Sequence, residues 1–167
     1  MEKIRVEKLS IENIDKYLEA LNDVIKNMSN PEWIGDFTRD DYIFLIKNNI
    51  IDIYTWLYNN NYVGAASLIK VDDITKHEYL LDEYDLNEII DFGPIWVSNN
   101  YTGHGYQVMF IKYLEKRIGN KYNCMVTTID PNNLASIHNF QKCGFKSIGE
   151  VNLKRGKRLV LKKIREE

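Results

Sequence analysis

Phe92-Gly93-Pro94-Ile95-Trp96-Val97-Ser98-Asn99-Asn100-Tyr101-Thr102-Gly103-His104-Gly105-Tyr106-Gln107 is the stretch on which the fold turns. Residues 92–98 read as a strand. Gly93 weakens pairing and Pro94 cannot donate to a ladder, so a bulge is expected beside them. A helix should begin near Gly105, with Val108, Ile111, Leu114 and Ile118 facing inward and Gly119 suited to its C-terminal cap. A strand, a Gly-x-Gly turn and a helix N-terminus in that order make an anion site. Glycine lets a ligand approach the backbone, the first helical N–H groups are unpaired, and the dipole favours negative charge there. The spacing argues against two other phosphate loops. A dinucleotide fingerprint would need glycine in place of Val108, and a P-loop would need Gly-Lys-Ser/Thr. A purely conformational turn stays open on this segment alone.

Before this stretch, residues 4–9 alternate apolar and charged side chains like a half-buried strand. Ser10 is placed to cap a helix whose apolar face is Ile11, Ile14, Leu18, Leu21 and Ile25. Residues 28–37 read as a loop. Thr38, with Asp41 as a short capping-box acid, should start a second helix that buries Tyr42, Leu45 and Ile46. Residues 50–58 and 62–71 form a hairpin signal around Asn59-Asn60-Asn61. Residues 72–91 carry eight acids against one base, Lys76, and read as a solvated insertion with one short helix. Beyond the glycine turn come a strand at 124–129, a helix from Asn133 to Gly144, and strands at 145–153 and 158–164 around Arg155-Gly156. The order β-α-α-β-β-β-α-β-α-β-β, without repeat or linker, predicts one mixed α/β domain over residues 1–167 with helices on both sheet faces.

Residues Ile95 to Gly105 resemble the cofactor segment of the GNAT superfamily of acyl-CoA-dependent N-acyltransferases. Asn133-Leu134-Ala135-Ser136-Ile137-His138-Asn139-Phe140-Gln141-Lys142-Cys143-Gly144-Phe145 resembles that family's last motif, in which an Asn opens a helix and a Gly-Phe pair closes it. The resemblance implies a GNAT-like mixed, mostly antiparallel sheet of about seven strands. Its central parallel pair, residues 92–98 and 124–129 here, would splay into a V that holds acetyl-CoA as cosubstrate. Backbone groups of Ile95 and Val97, with Trp96 between them, would meet the pantetheine. Thr102, Gly103, His104, Gly105, Tyr106 and Gln107 would hold the pyrophosphate. Asn133, Ser136 and Phe140 would meet the cofactor from the last helix. Three positions depart from the family pattern. Thr102 stands where Arg or Gln is usual, and Gln107 replaces a small residue. Phe140 stands where many relatives have a tyrosine that protonates the departing thiolate, which phenylalanine cannot do.

The implied reaction is attack by an amine on the thioester, moving an acetyl group to a small cationic metabolite. The alternatives are acetylation of a protein N-terminus or lysine, and a CoA-binding module without turnover. Only about one alkyl amine in ~2,500 is neutral at pH 7, so a general base is called for. Asp91 and Glu88 are the carboxylates nearest the expected splay, while His104 lies within the phosphate loop, where a base would be misplaced. If the acidic insertion borders the acceptor cleft, its field would concentrate cations. A formal net charge of −2 disfavours a strongly basic nucleic-acid binder. The first residues carry no apolar stretch of a signal peptide, and no run approaches the ~18 apolar residues of a membrane span. Cys124 and Cys143 lack metal-ligand spacing and read as reduced thiols of a cytoplasmic protein, and the three scattered histidines support no metal site. A homodimer is compatible with the implied fold.

Overall fold

In the computed structural model of the chain, residues 3–34 and 37–165 are described. The hairpin forms where the asparagines place it: β1 (Arg5–Lys8) is followed by β2 (Ile51–Tyr58) and β3 (Asn61–Lys70), which pair antiparallel. Asn59 and Asn60 take left-handed φ values of 51° and 62°, which asparagine tolerates in such a turn. With β4 (Ile89–Val97), β5 (Cys124–Ile129), β6 (Lys146–Leu153) and β7 (Gly156–Ile164) they make one seven-stranded sheet. Its order is β1-β2-β3-β4-β5-β7-β6, and only β4 and β5 run parallel.

Both faces are covered, as expected. α1 (Ile14–Lys26) and α2 (Arg39–Lys47) pack over Tyr17, Leu21, Tyr42, Ile53 and Trp96. α4 (Tyr106–Ile118) and α5 (Leu134–Lys142) pack over Phe92, Phe110, Ile111, Leu114 and Phe145. The short helix α3 (Asp73–Glu78) lies within the acidic segment.

The start of the chain differs from its expected reading. Ser10 makes no side-chain cap and precedes a single 3-10 turn, so α1 begins at Ile14. The buried stripe of α1 is Ile14, Tyr17, Leu21 and Val24, rotated from the aliphatic positions alone. Tyr17 causes the rotation: its ring is fully buried, and its hydroxyl accepts from the Trp96 indole at 3.3 Å, so a nominally polar residue joins the core. β1 is an edge strand whose four residues are all exposed. By contrast, α2 starts as expected, with Thr38 and Asp41 each accepting the other's backbone N–H.

What positions the site is the break between β4 and β5. They pair through Ile89–Cys124, Ile90–Met125 and Asp91–Val126, and then part. There β4 carries one residue more than β3. Phe92 faces Leu68 and Ile95 faces Ala66, leaving Gly93 and Pro94 opposite Ser67. This is the bulge those two residues predict. Thr127 donates its hydroxyl to the Phe92 carbonyl at 3.1 Å, so the first carbonyl the ladder abandons stays paired. Farther along, the Ser98 N–H donates to the Val63 carbonyl at 2.8 Å. Alternation then turns the backbone of Trp96 toward β3 as well, and that of Ile95 and Val97 toward the open side.

Gly64 keeps this arrangement tight. A Cβ there would strike the Trp96 carbonyl oxygen and approach the Phe110 ring to 2.6 Å. Gly64→Ala should destabilise the protein by ~1–3 kcal/mol, read as a lower denaturation midpoint at unchanged slope.

Candidate active site

The parting of β4 from β5 opens a cleft of about 700 Å³ lined from both sides of the sheet. At one end lies the glycine turn. Gly103 and Gly105 both take φ 79°, and Gly105 sits at the N-cap of α4 with no side chain to close the helix. The first intrahelical bond runs from the Met109 N–H to the Gly105 carbonyl, which leaves the N–H groups of Tyr106, Gln107 and Val108 ahead of the ladder. In α2, α3 and α5 the same position is closed by Thr38, Asp72 and Asn133. The unclosed helix start is therefore a ready anion site.

The residues around it divide by what their side chains do. Thr102 donates its hydroxyl to the Asn99 carbonyl at 3.2 Å and shapes the turn. Gln107 bridges two walls: its amide nitrogen donates to the Ser136 hydroxyl at 2.9 Å, and its carbonyl accepts from Asn139 at 2.7 Å. The larger residue is thus used as a tie between α4 and α5. Asn133 accepts the Ser136 N–H at 3.4 Å and caps α5. Phe140 is 2% exposed, edge-on to Phe145 with ring centres 5.0 Å apart, and forms an apolar wall of the cleft. Ile95 and Val97 line the cleft, but the Trp96 side chain points into the opposite core. His104 is exposed beside Tyr106 and does not line the cleft.

At the other end of the cleft the two expected carboxylates are separated. β4 begins three residues before its predicted start, which brings Asp91 into the strand, on the cleft wall. Burial pushes its carboxyl up to about 7, while the Arg155 guanidinium pulls in the opposite direction. Glu88 lies before the strand and outside the cleft. One of its oxygens accepts the Asp85 N–H at 3.0 Å and the other accepts from Asn123 at 3.1 Å, contacts that hold its carboxyl below the usual range. Three other acids of the segment are likewise used away from the cleft. Asp72 caps α3, Asp82 meets His77 at 2.9 Å, and Glu83 meets Lys162 at 3.5 Å.

Four residues that the sequence did not single out share the end of the cleft with Asp91: Trp33, Tyr79, Thr128 and Arg155. Burial raises the Tyr79 hydroxyl well above its ordinary value, and the Asp91 charge adds to the rise. Tyr79 follows α3, where Leu80 takes a left-handed φ of 62° and Leu81 donates back to the Lys76 carbonyl, an ending that usually takes glycine. Nothing in the local sequence marks that turn. Thr128 could have been found by alternation, since Cys124 and Val126 share its side of β5.

With the geometry in place, the comparisons are consistent. The family described as the acetyltransferase (GNAT) family matches residues 21–145. An acetyltransferase of the GNAT family from Streptococcus agalactiae has a TM-score of 0.77 at 20% identity, over 98% of this chain and 96% of that one. An N-acetyltransferase from Staphylococcus aureus has a TM-score of 0.73 at 21% identity, over 97% and 98%. The aminoglycoside acetyltransferase AAC(6')-Ib, solved with coenzyme A, has a TM-score of 0.74 at 18% identity, over 98% and 95%. No curated protein matches the chain. Among the described residues no helix is long and apolar enough to cross a membrane.

The raised carboxyl of Asp91 has a cost that depends on pH. An acid with its folded value at about 7 against an ordinary value of 3.8 holds its proton more tightly in the native state. Stability therefore falls as pH rises from about 4 to about 7, and stays lower above that window. Asp91→Asn should match the parent in unfolding temperature near pH 4 and exceed it at pH 8. Equal unfolding temperatures at pH 8 would show that the carboxylate is not desolvated.

Proposed function

The chain belongs to the GNAT acetyltransferase family, and on that premise we propose that it moves the acetyl group of acetyl-CoA to the primary amine of a small molecule, with both substrates in the cleft. The observation that carries this reading is the parted β4–β5 pair, whose open edge leads straight to the unclosed N-terminus of α4. The chain's residues fit an acyl-CoA. The outward backbone groups of Ile95 and Val97 match the amides of a pantetheine arm. The free N–H groups of Tyr106, Gln107 and Val108 match a pyrophosphate. The apolar ring of Phe140 suits the acyl end of the cleft. A structural neighbour crystallised with coenzyme A, and the same enzyme with ribostamycin and coenzyme A, support a CoA-linked reaction with a small acceptor.

Acetyl-CoA supplies an electrophilic thioester carbonyl. The amine nitrogen forms the new C–N bond, the C–S bond breaks, and CoA leaves as its thiolate, which a thiol pKa of ~8.5 makes tolerable without a tyrosine in place of Phe140. Asp91 accepts the proton that the amine loses. A carboxyl held near 7 is partly ionised at neutral pH and basic enough to serve, and general bases of this kind contribute ~10²–10⁴-fold. Glu88, with both oxygens committed elsewhere, has no part in the step.

The direct test is thiol release from acetyl-CoA in the presence of an amine panel. Release with small amines is expected. Binding of CoA without release for any amine would leave a binding module, and preference for a peptide amine would move the activity to proteins. Gly105→Glu, which sets a side chain and a negative charge at the start of α4, should weaken CoA binding at least ~10-fold, or ~1.4 kcal/mol. Asp91→Asn should lower kcat ~10²-fold or more. In the parent, kcat should rise through about pH 7 as Asp91 ionises, and a flat profile there in the variant would assign that limb to Asp91.

A further inference from the structure

Behind the cleft lies a buried cation. Arg158, on β7, is 2% exposed and does not line the cleft. Its guanidinium meets three segments of chain. One nitrogen donates to the Glu32 carbonyl at 2.9 Å. Another donates to the Lys157 carbonyl at 2.8 Å and to an Asp130 carboxylate oxygen at 3.4 Å. The second Asp130 oxygen accepts the Asn132 N–H at 2.8 Å, and the Asp130 carbonyl accepts the Asn133 N–H at 2.9 Å. Asp130 therefore builds the turn from which α5 starts. Burial holds Arg158 below the ordinary arginine value, so the ion sits there against its desolvation. A guanidinium suits the place because its planar fork serves several acceptors at once.

The segment that Arg158 grips at Glu32 is lightly built. Within residues 28–34 only Ile34 is buried. The bonds of Asn30 to Glu32 and Trp33 are local. Among the described residues, the hydrogen bonds that tie this segment to distant chain end on one atom, the Glu32 carbonyl oxygen. It accepts from Arg158 and, at 3.4 Å, from Arg155. Yet Trp33 and Ile34 line the cleft. Arg155 lines it too, and its charge reaches the Asp91 carboxyl. Ile34 packs into the cluster under α1 and α2, as does Ile69, the residue that faces Asp91 across β3 and β4. This wall and Asp91 thus share one side of the sheet, and the helix start of α4 lies on the other.

From these contacts we propose that Arg158 is a positioning residue for the acceptor. By clamping the 3-10 turn Pro31–Trp33 to the turn that starts α5, it sets the wall at Trp33 and Ile34 relative to the helices that meet the cofactor. The proposal rests on the acetyl-transfer reading of the same cleft. Arg158 touches neither substrate and acts through the Glu32 carbonyl. When the clamp is weakened, α5 keeps its ties to α4 through Gln107, so the loss falls on the lightly held segment. The amine then loses its place, and the anion site at α4 keeps its own.

The test uses Arg158→Lys, which keeps the charge but serves fewer acceptors at once, and Arg158→Gln, which removes the charge. Amide hydrogen exchange is read over residues 28–34, with the β2–β3 hairpin as the control. Residues 28–34 should exchange at least ~10-fold faster in both variants, with the hairpin at parent rates. Kinetics follow with the amine that gives the fastest thiol release in the parent. KM for that amine should rise at least ~10-fold, while kcat and the Kd for CoA change less than ~3-fold. Arg158→Lys should fall between the parent and Arg158→Gln, and it decides alone where Arg158→Gln does not fold. A lower unfolding temperature in Arg158→Lys, with KM and the exchange of residues 28–34 unchanged, would reduce Arg158 to a fold residue and overturn the proposal. Equal losses for the amine and for CoA would overturn it as well. Absence of thiol release with every amine in the parent would overturn the acetyl-transfer reading and the acceptor role with it, while faster exchange of residues 28–34 in the variants would leave the clamp standing.

Discussion

The site exists because two neighbouring strands stop pairing after three residues. β4 and β5 are the sheet's only parallel pair, and β4 must leave it without exposing buried backbone groups. The molecule meets that constraint in three places. The extra residue at Gly93-Pro94 bends β4 while it stays in register with β3 on either side. Pro94 has no N–H to leave orphaned at the bend. Thr127 lends its hydroxyl to the Phe92 carbonyl at the point of separation. Gly64 lets β3, β4 and α4 lie close enough for the bent strand to be held. Beyond these contacts the outward backbone of Ile95 and Val97 has no strand beside it, and the cleft is what remains.

On the proposed reading, the split also lets one cleft hold two unlike substrates. Alternation along β4 sends Ile90 and Phe92 to the α4–α5 core and Asp91 to the other side. The anion site at α4 and the carboxylate of Asp91 thus belong to opposite ends of one opening. Opposite signs of charge are kept apart there, the positive end of the α4 dipole at one end and the Asp91 carboxyl at the other. Gln107, tied to Ser136 and Asn139, fixes the spacing of the two helices that frame the first end. Tyr79 and Arg155, brought by two separate loops, frame the second.

The sequence was most legible where local chemistry alone decides. The Asn59-Asn60 turn, the Thr38–Asp41 capping box, the bulge at Gly93-Pro94 and the helix after Gly105 all follow from residues within a few positions of one another. The stripe of α1 was misread because Tyr17 counts as polar until a partner such as Trp96, 79 positions away, gives its hydroxyl a bond. The acidic segment was legible as a solvated stretch with one short helix, but not which way its charges turn. Composition registers its charge but not its direction, and Asp72, Asp82 and Glu88 are turned to caps and local partners. The far end of the cleft was the least legible part. Trp33 comes from the loop after α1, Tyr79 from an αL turn built on leucine, and Arg155 from the β6–β7 hairpin. Only the folded chain brings them to Asp91.

On the proposed reaction, the value to which burial brings Asp91 bears on when the proton would move. An ordinary aspartate lies ~6.5 units below an alkyl ammonium of pKa ~10.4, whereas a carboxyl at about 7 lies ~3.4 units below it. Even the raised carboxyl cannot empty the ammonium form before attack, since the transfer remains uphill by roughly three powers of ten. The nitrogen becomes far more acidic once it bonds to the carbonyl carbon, and the same transfer then runs downhill. As the proposed base, Asp91 would be suited to take a proton during or after attack on a minor neutral amine, rather than to prepare that amine in advance. The Arg155 guanidinium pulls against that burial and favours the ionised carboxyl.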